Sequence, residues 1–243
     1  MIFDYFDREN TITSPENGQK PDVDNKDVVY EHVAFSYNDE TEILKDVNFT
    51  LPGGTYTELY ETQFRQAIDS ENFRKADSGD ISAIERIYDH THDAEEAGST
   101  TTGWQRGIYP TVKTAEDSLD RGDMYVAEID GKVVATGIIN QEQVDVYADC
   151  DWKYKAPDDK VCVLHTLAVE PDTRGLGLGK KFVQFYEELA RERGCEVLRI
   201  DTNERNTAAR AMYKKLGYIE SGIVPTTFNG IQGVNLVLME KKL

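Results

Sequence analysis

Between Val163 and Gly179 the chain reads V-L-H-T-L-A-V-E-P-D-T-R-G-L-G-L-G. Val163, Leu164, Leu167, Ala168 and Val169 are a short apolar run with β-branched members, which predicts a buried strand. Pro171 stops it, because proline has no N–H to give a ladder. Apolar residues then recur at Leu178, Phe182, Phe185 and Leu189, the spacing of one helix face. Val197, Leu198 and Ile200 predict a second strand, and Ala209, Met212 and Leu216 a second helix. Asn206 suits the cap of that helix, and Gly217 its left-handed stop. Strand, glycine loop, helix, strand, helix is a βαβα unit, and its crossover makes the two strands parallel.

The pattern elsewhere completes a sheet. Phe73 to Asp77 suits an edge strand, and Asp80 the N-cap of a helix marked by Ile81, Ile84, Ile87 and Tyr88. A connecting stretch with Trp104, Tyr109 and Pro110 leads to a helix over 114–121. Met124–Ile129 and Lys132–Ile139 flank Asp130-Gly131, the signal of a type I′ hairpin. Residues 141–160 are a polar excursion longer than a hairpin needs, and long connections of that kind tend to be functional or disordered. After Gly217, two antiparallel strands flank a turn near Asn229-Gly230. The expected architecture is α/β (α+β): a mixed, mostly antiparallel sheet of about seven strands with helices on both faces.

Composition narrows the function classes. With 27 Lys+Arg against 45 Asp+Glu the net charge is −18, which argues against nucleic acid and weakly favours amine-bearing partners. The charge is uneven, since residues 1–64 carry 4 basic and 14 acidic side chains. Cys150, Cys162 and Cys195 have neither metal spacing nor an even count, so no disulfide framework or zinc site is expected. His90 and His92 miss the i, i+4 spacing that puts two imidazoles on one helix face, and read as solvated residues at a helix end. No apolar run reaches the ~20 residues of a membrane span, and the acidic start lacks the basic head of a signal peptide, so a cytoplasmic protein is expected.

The chemistry gathers at the glycine loop. Free N–H groups and the positive end of the following helix make an anion site suited to phosphate. It is not a Walker loop: aligned on Gly179-Lys180, Arg174 stands where the first glycine belongs and Lys181 where the Ser/Thr that holds magnesium belongs. Nor does Gly175-Leu176-Gly177-Leu178-Gly179 match G-x-G-x-x-G. Arg174, Gly177 and Gly179 instead resemble the [QR]-x-x-G-x-[GA] loop of the GNAT superfamily of N-acetyltransferases. The stretch Asn206-Thr-Ala-Ala209-Arg-Ala-Met-Tyr213-Lys-Lys-Leu-Gly217-Tyr218 resembles that family's second signature.

The resemblance implies that the domain's fourth and fifth strands splay apart, with the pantetheine arm of acetyl-CoA in the gap. It implies that backbone groups of Leu167, Ala168 and Val169 hold that arm. The pyrophosphate falls to Arg174, Gly175, Leu176, Gly177, Leu178, Gly179 and Lys180, and Asn206 touches the pantetheine region. Tyr213 would protonate the departing thiolate, a phenol of pKa ~10 serving a thiol of ~8.5. Trp104 and Tyr109 stand on the acceptor side, in the segment that commonly lines that pocket in the family; simple packing is the bland alternative. The acceptor is a small-molecule or peptide amine. No general base stands out: Glu142 and His165 could each reach the amine directly or through water, and many members of the family use ordered water instead; for His165, flanked by buried positions, a core histidine is the commoner reading. A homodimer is left open, as is a module that binds acetyl-CoA without transferring it.

Residues 1–71 read as an acidic, partly disordered extension ahead of a 72–243 domain. Val28–Tyr37 and Ile43–Leu51 suit a hairpin. Together with Ile2–Asp7 they resemble the entry of an ABC-exporter ATPase domain, with Tyr37 placed to stack on adenine. Gly53–Phe64 resembles the C-terminal tail of the same exporters. The phosphate loop and signature sequence between them are missing, which implies a degenerate remnant unable to hydrolyse ATP. An ABC-linked interaction protein is the reading that gives this segment the leading role.

Overall fold

The computed structural model describes residues 28–38, 41–51, 72–173 and 176–243. The chain divides into two units, 1–68 and 69–243. In the first, strands β1 (Val28–Asn38) and β2 (Thr41–Leu51) pair antiparallel from Val28↔Leu51 to Asn38↔Thr41. The other parts of the ATPase-like resemblance lie outside the described residues.

The second unit is a seven-stranded sheet. Its strands are β3 (Asn72–Lys75), β4 (Met124–Ile129), β5 (Lys132–Asn140), β6 (Val161–Val169), β7 (Val197–Asn203), β8 (Ile219–Phe228) and β9 (Ile231–Lys242), in the order β3-β4-β5-β6-β7-β9-β8. Every neighbouring pair is antiparallel except β6 and β7. That parallel pair is the one the βαβα pattern requires. Both short hairpins turn as their sequences demand: Asp130 and Gly131 have φ +51° and +73°, and Asn229 and Gly230 +50° and +85°.

Helices cover both faces. On one, α3 (Leu178–Glu192) and α4 (Thr207–Lys215) bury Phe182, Val183, Tyr186 and Tyr213 against Leu164, Leu198 and Ile200. On the other, α1 (Ile81–Glu96) and α2 (Val112–Arg121) bury Ile84, Ile87 and Ala115 against Met124, Val126 and Ile138. The rest of that second face has no α-helix among the described residues. The 141–160 excursion covers it, with Tyr147 and Trp152 buried against Val161, Val163, Val197 and Leu238.

That excursion is fixed from beneath. Glu240, fully buried, accepts from the Lys153 and Tyr154 amides at 2.7 and 3.0 Å and from Ser221 at 2.5 Å. The Arg199 guanidinium lies 4.0 Å over the Trp152 ring. A buried carboxylate with three donors and a cation nearby is satisfied, so the segment packs as core rather than as a loose loop.

Two local expectations differ. Asp80 does not cap α1 with its side chain; its carboxylate takes two bonds from Arg74 at 2.7 and 2.8 Å, and Asp77 caps the preceding turn. A bidentate charge pair outweighs a neutral cap bond. His92 is not solvated but buried, its Nε2 3.0 Å from the Pro110 carbonyl oxygen, while His90 meets Glu170 at 2.6 Å.

Candidate active site

The ladder between β6 and β7 runs from Val161↔Val197 to Leu164↔Ile200 and ends there, although both strands continue. Beyond Leu164 the strands part. Tyr186 stands at the fork, its buried hydroxyl 2.6 Å from the Cys162 carbonyl oxygen and 3.2 Å from that of Arg199. A cavity of about 570 Å³ opens in the gap.

On the β6 side the chain carries a bulge. Ile138 pairs with His165 and Thr136 with Ala168, so two residues of β6, Thr166 and Leu167, face the single Gly137 of β5. Thr166 has φ +50°, a conformation rare for a β-branched residue, and the Tyr109 hydroxyl is bonded to its Oγ1. A bulge takes backbone groups out of the ladder, and these border the cavity. The sequence of β6 carries no glycine at the bulge, so nothing in that strand marks the spot.

Below the bulge lies the start of α3. Gly177 has φ +74° and is followed by Leu178, Gly179 and Lys180, all of which border the cavity. The first N–H groups of a helix have no partner within it, and α3 begins with its left-handed step at Gly177 on the border of the cavity. Leu176 is exposed beside them, while Arg174 and Gly175 lie outside the described residues. Leu167, Ala168 and Val169 line the same cavity.

The opposite wall comes from α4. Asn206 caps it, its Oδ1 accepting from the Ala209 amide at 3.1 Å, which leaves the amide nitrogen as donor. About two turns on, Tyr213 is buried and tilts against the Tyr218 ring. Its hydroxyl has no hydrogen-bond partner among the described residues. Burial, and secondarily the charge of Asp201, hold that phenol well above its usual pKa.

The far end is aromatic. Trp104 and Tyr109 pack edge to face, and Tyr109 packs again on Phe228. Their loop is clamped to α1: the Glu95 carboxylate accepts from the Thr102 and Gly103 amides at 2.7 and 3.1 Å, and Arg106 reaches Asp89, Asp93 and Glu96. Burial pushes the Tyr109 phenol up to about 12.

Of the residues singled out in the sequence, the cavity therefore gathers Trp104, Tyr109, Leu167, Ala168, Val169, Gly177, Leu178, Gly179, Lys180, Asn206 and Tyr213. It does not gather Glu142, whose exposed side chain stands outside; what Glu142 turns inward is its carbonyl oxygen, 3.1 Å from His165 Nε2. Conversely, His165 and Asp201 line the cavity. No pattern in the sequence marks the residues of β7 beyond Ile200, because no window there shows where the strands part.

The model of the Acetyltransferase (GNAT) family matches residues 84–218. The chain belongs to this family. It is 27% identical over 173 residues to an uncharacterized N-acetyltransferase of Methanocaldococcus jannaschii, covering 70% of this chain and 90% of that one. A second N-acetyltransferase of that organism is 30% identical over 105 residues, 43% of this chain and 42% of its own length, so the chain spans less than half of that relative. Among solved structures, yncA from Salmonella typhimurium, with its cofactor acetyl-CoA, superposes with a TM-score of 0.53 at 19% identity over 72% of this chain and 95% of that one. That likeness is one of fold.

Proposed function

We propose that this GNAT domain moves the acetyl group of acetyl-CoA to a primary amine of a small molecule or peptide, both held in the one cleft. The observation that carries the reading is Tyr213: a buried phenol with an unpartnered hydroxyl, on the wall of a cavity opened by two parted parallel strands. A polar atom left unpaired in a core is costly, whereas the Tyr213 hydroxyl opens onto the cavity, where a ligand can partner it.

The donor set suits a diphosphate-bearing thioester. The amides from Gly177 to Lys180, with Arg174 and Gly175 beside them, would hold the diphosphate. The bulged backbone of Leu167 to Val169 and the Asn206 amide nitrogen would hold the amide-rich arm. Acetyl-CoA supplies the activated acetyl carbon. Backbone N–H at the bulge is suited to receive the negative charge that grows on the carbonyl oxygen. Trp104 and Tyr109 would flank the acceptor.

Tyr213 would give its proton to sulfur. Its raised pKa keeps it protonated at every working pH. The burial that raises the phenol also raises a thiol in the same cavity, so the two remain near enough for transfer.

The test combines two measurements on the full chain. Calorimetric titration with acetyl-CoA should show one site, and thiol release should appear with at least one member of a primary-amine panel. Binding without release from any amine would favour a non-catalytic module; no binding would remove the reading. For the hairpin unit, we propose only an ATPase-like remnant without phosphate chemistry.

A further inference from the structure

We propose that His165 takes the proton of the acceptor amine, and that Asp201, across the gap between the parted strands, receives that amine as an ammonium ion. The proposal rests on the acetyltransferase reading and names the substrate class and the missing base.

Register makes the pair. The last rung of the parallel ladder is Leu164↔Ile200, so His165 and Asp201 are the next positions on each strand. Side chains alternate, and Val163 and Val197 face the Tyr147–Trp152 cluster, so His165 and Asp201 share that face just where the strands open. Both border the cavity.

The hydrogen bonds assign the histidine's proton. Asn140 donates from Nδ2 to Asp123 at 2.9 Å and accepts at Oδ1 from the Glu142 amide at 2.9 Å, which fixes its orientation. His165 Nε2 lies 3.1 Å from that same Oδ1 and 3.1 Å from the Glu142 carbonyl oxygen. Two acceptors require a donor, so Nε2 carries the hydrogen and Nδ1 keeps a lone pair. Burial lowers the histidine pKa, which leaves that lone pair free at neutral pH.

Asp201 is half satisfied. Its Oδ2 accepts from the Tyr147 hydroxyl at 2.9 Å, and Oδ1 has no partner among the described residues. Burial raises its pKa, and a cation beside it would reverse that. The other ionisable groups around the two are Asp123 and Arg121 from the α2–β4 corner, Tyr147, Tyr109 and Tyr213. The nearby walls are Trp104, Tyr109, Phe228 and Leu236. The site thus fits a primary amine, cationic at neutral pH, on an apolar or aromatic body.

In the step, one ammonium N–H bond breaks and its proton goes to His165 Nδ1, the electron pair staying on nitrogen. That pair forms the C–N bond to the acetyl carbon and the C–S bond breaks. Sulfur takes the Tyr213 proton, and the second proton lost by nitrogen reloads the phenolate. The products are the amide, the free thiol and one proton, which leaves from His165.

The test compares phenethylamine, which arrives charged, with 2,2,2-trifluoroethylamine, which arrives neutral. His165→Gln keeps a donor for Asn140 but has no base. It should lose about 100-fold or more in kcat/KM with phenethylamine and less than about tenfold with the neutral amine. Asp201→Asn should raise KM for phenethylamine alone. Equal losses with both amines overturn the proposal. Turnover of another amine of the panel but not of phenethylamine overturns this proposal alone, and acetyl-CoA binding with no turnover of any amine overturns the acetyltransferase reading and this one with it. Nitrogen-15 NMR of the imidazoles judges His165 without any acceptor: the Nε2–H tautomer at neutral pH supports the assignment, and the Nδ1–H tautomer overturns it.

Discussion

Tyr213→Phe separates chemistry from structure. The hydroxyl it removes bonds to no described residue, so the fold loses no internal hydrogen bond and the ring contact with Tyr218 survives. Stability should stay within about 0.5 kcal/mol, since deleting an unpaired polar group from a core is neutral or favourable. A general acid contributes about 10²–10⁴ in rate, which is about 3–5 kcal/mol of barrier. Turnover should therefore fall by at least about 100-fold while acetyl-CoA affinity changes less than about threefold. Tyr186→Phe is the control: that hydroxyl bonds to Cys162 and Arg199 carbonyl oxygens at the fork, so its loss should cost about 1–2 kcal/mol in urea denaturation. Thiol release, calorimetry and urea melts on the two variants decide the matter. Turnover of Tyr213→Phe within a few-fold of the unaltered chain would refute the acid role.

Tyr147→Phe removes the hydrogen bond that stabilises the ionised form of Asp201 against burial. Its carboxyl pKa should rise further, so acetylation falls most on the acid side and recovers as pH rises; a pH profile identical to that of the unaltered chain would refute the link. Gly177→Val forces a β-branched residue to φ +74° at the start of α3, and acetyl-CoA affinity by calorimetry should drop about tenfold or more. Glu240→Ala strands two amides of the 141–160 segment and should cost about 2–4 kcal/mol in urea melts. Gly137→Ala would put a Cβ 2.7 Å from Phe182 Cε1, and should lower stability by about 1–3 kcal/mol in the same assay.

What the sequence by itself determined is whatever depends on neighbours along the chain. The apolar run at 163–169 and the helical repeat from Leu178 announce a strand and a helix, and Gly217 marks a left-handed step that only local sterics require. Asp130-Gly131 and Asn229-Gly230 announce hairpins for the same reason. Asn206 and Tyr213, about two turns apart on a single helix, could be read together because their spacing alone puts both on one wall. Tertiary structure decided what depends on partners far away in sequence. Asp80 turned to Arg74, and the carbonyl rather than the carboxylate of Glu142 turned inward. The excursion at 141–160 became a second core because Glu240, on the last strand, supplies its amides with an acceptor. Above all, His165 and Asp201 met because a ladder of hydrogen bonds stops one rung before them. Where two strands cease to pair is a balance among the whole sheet, the helix beneath and the bulge beside it, and no window of residues contains that balance.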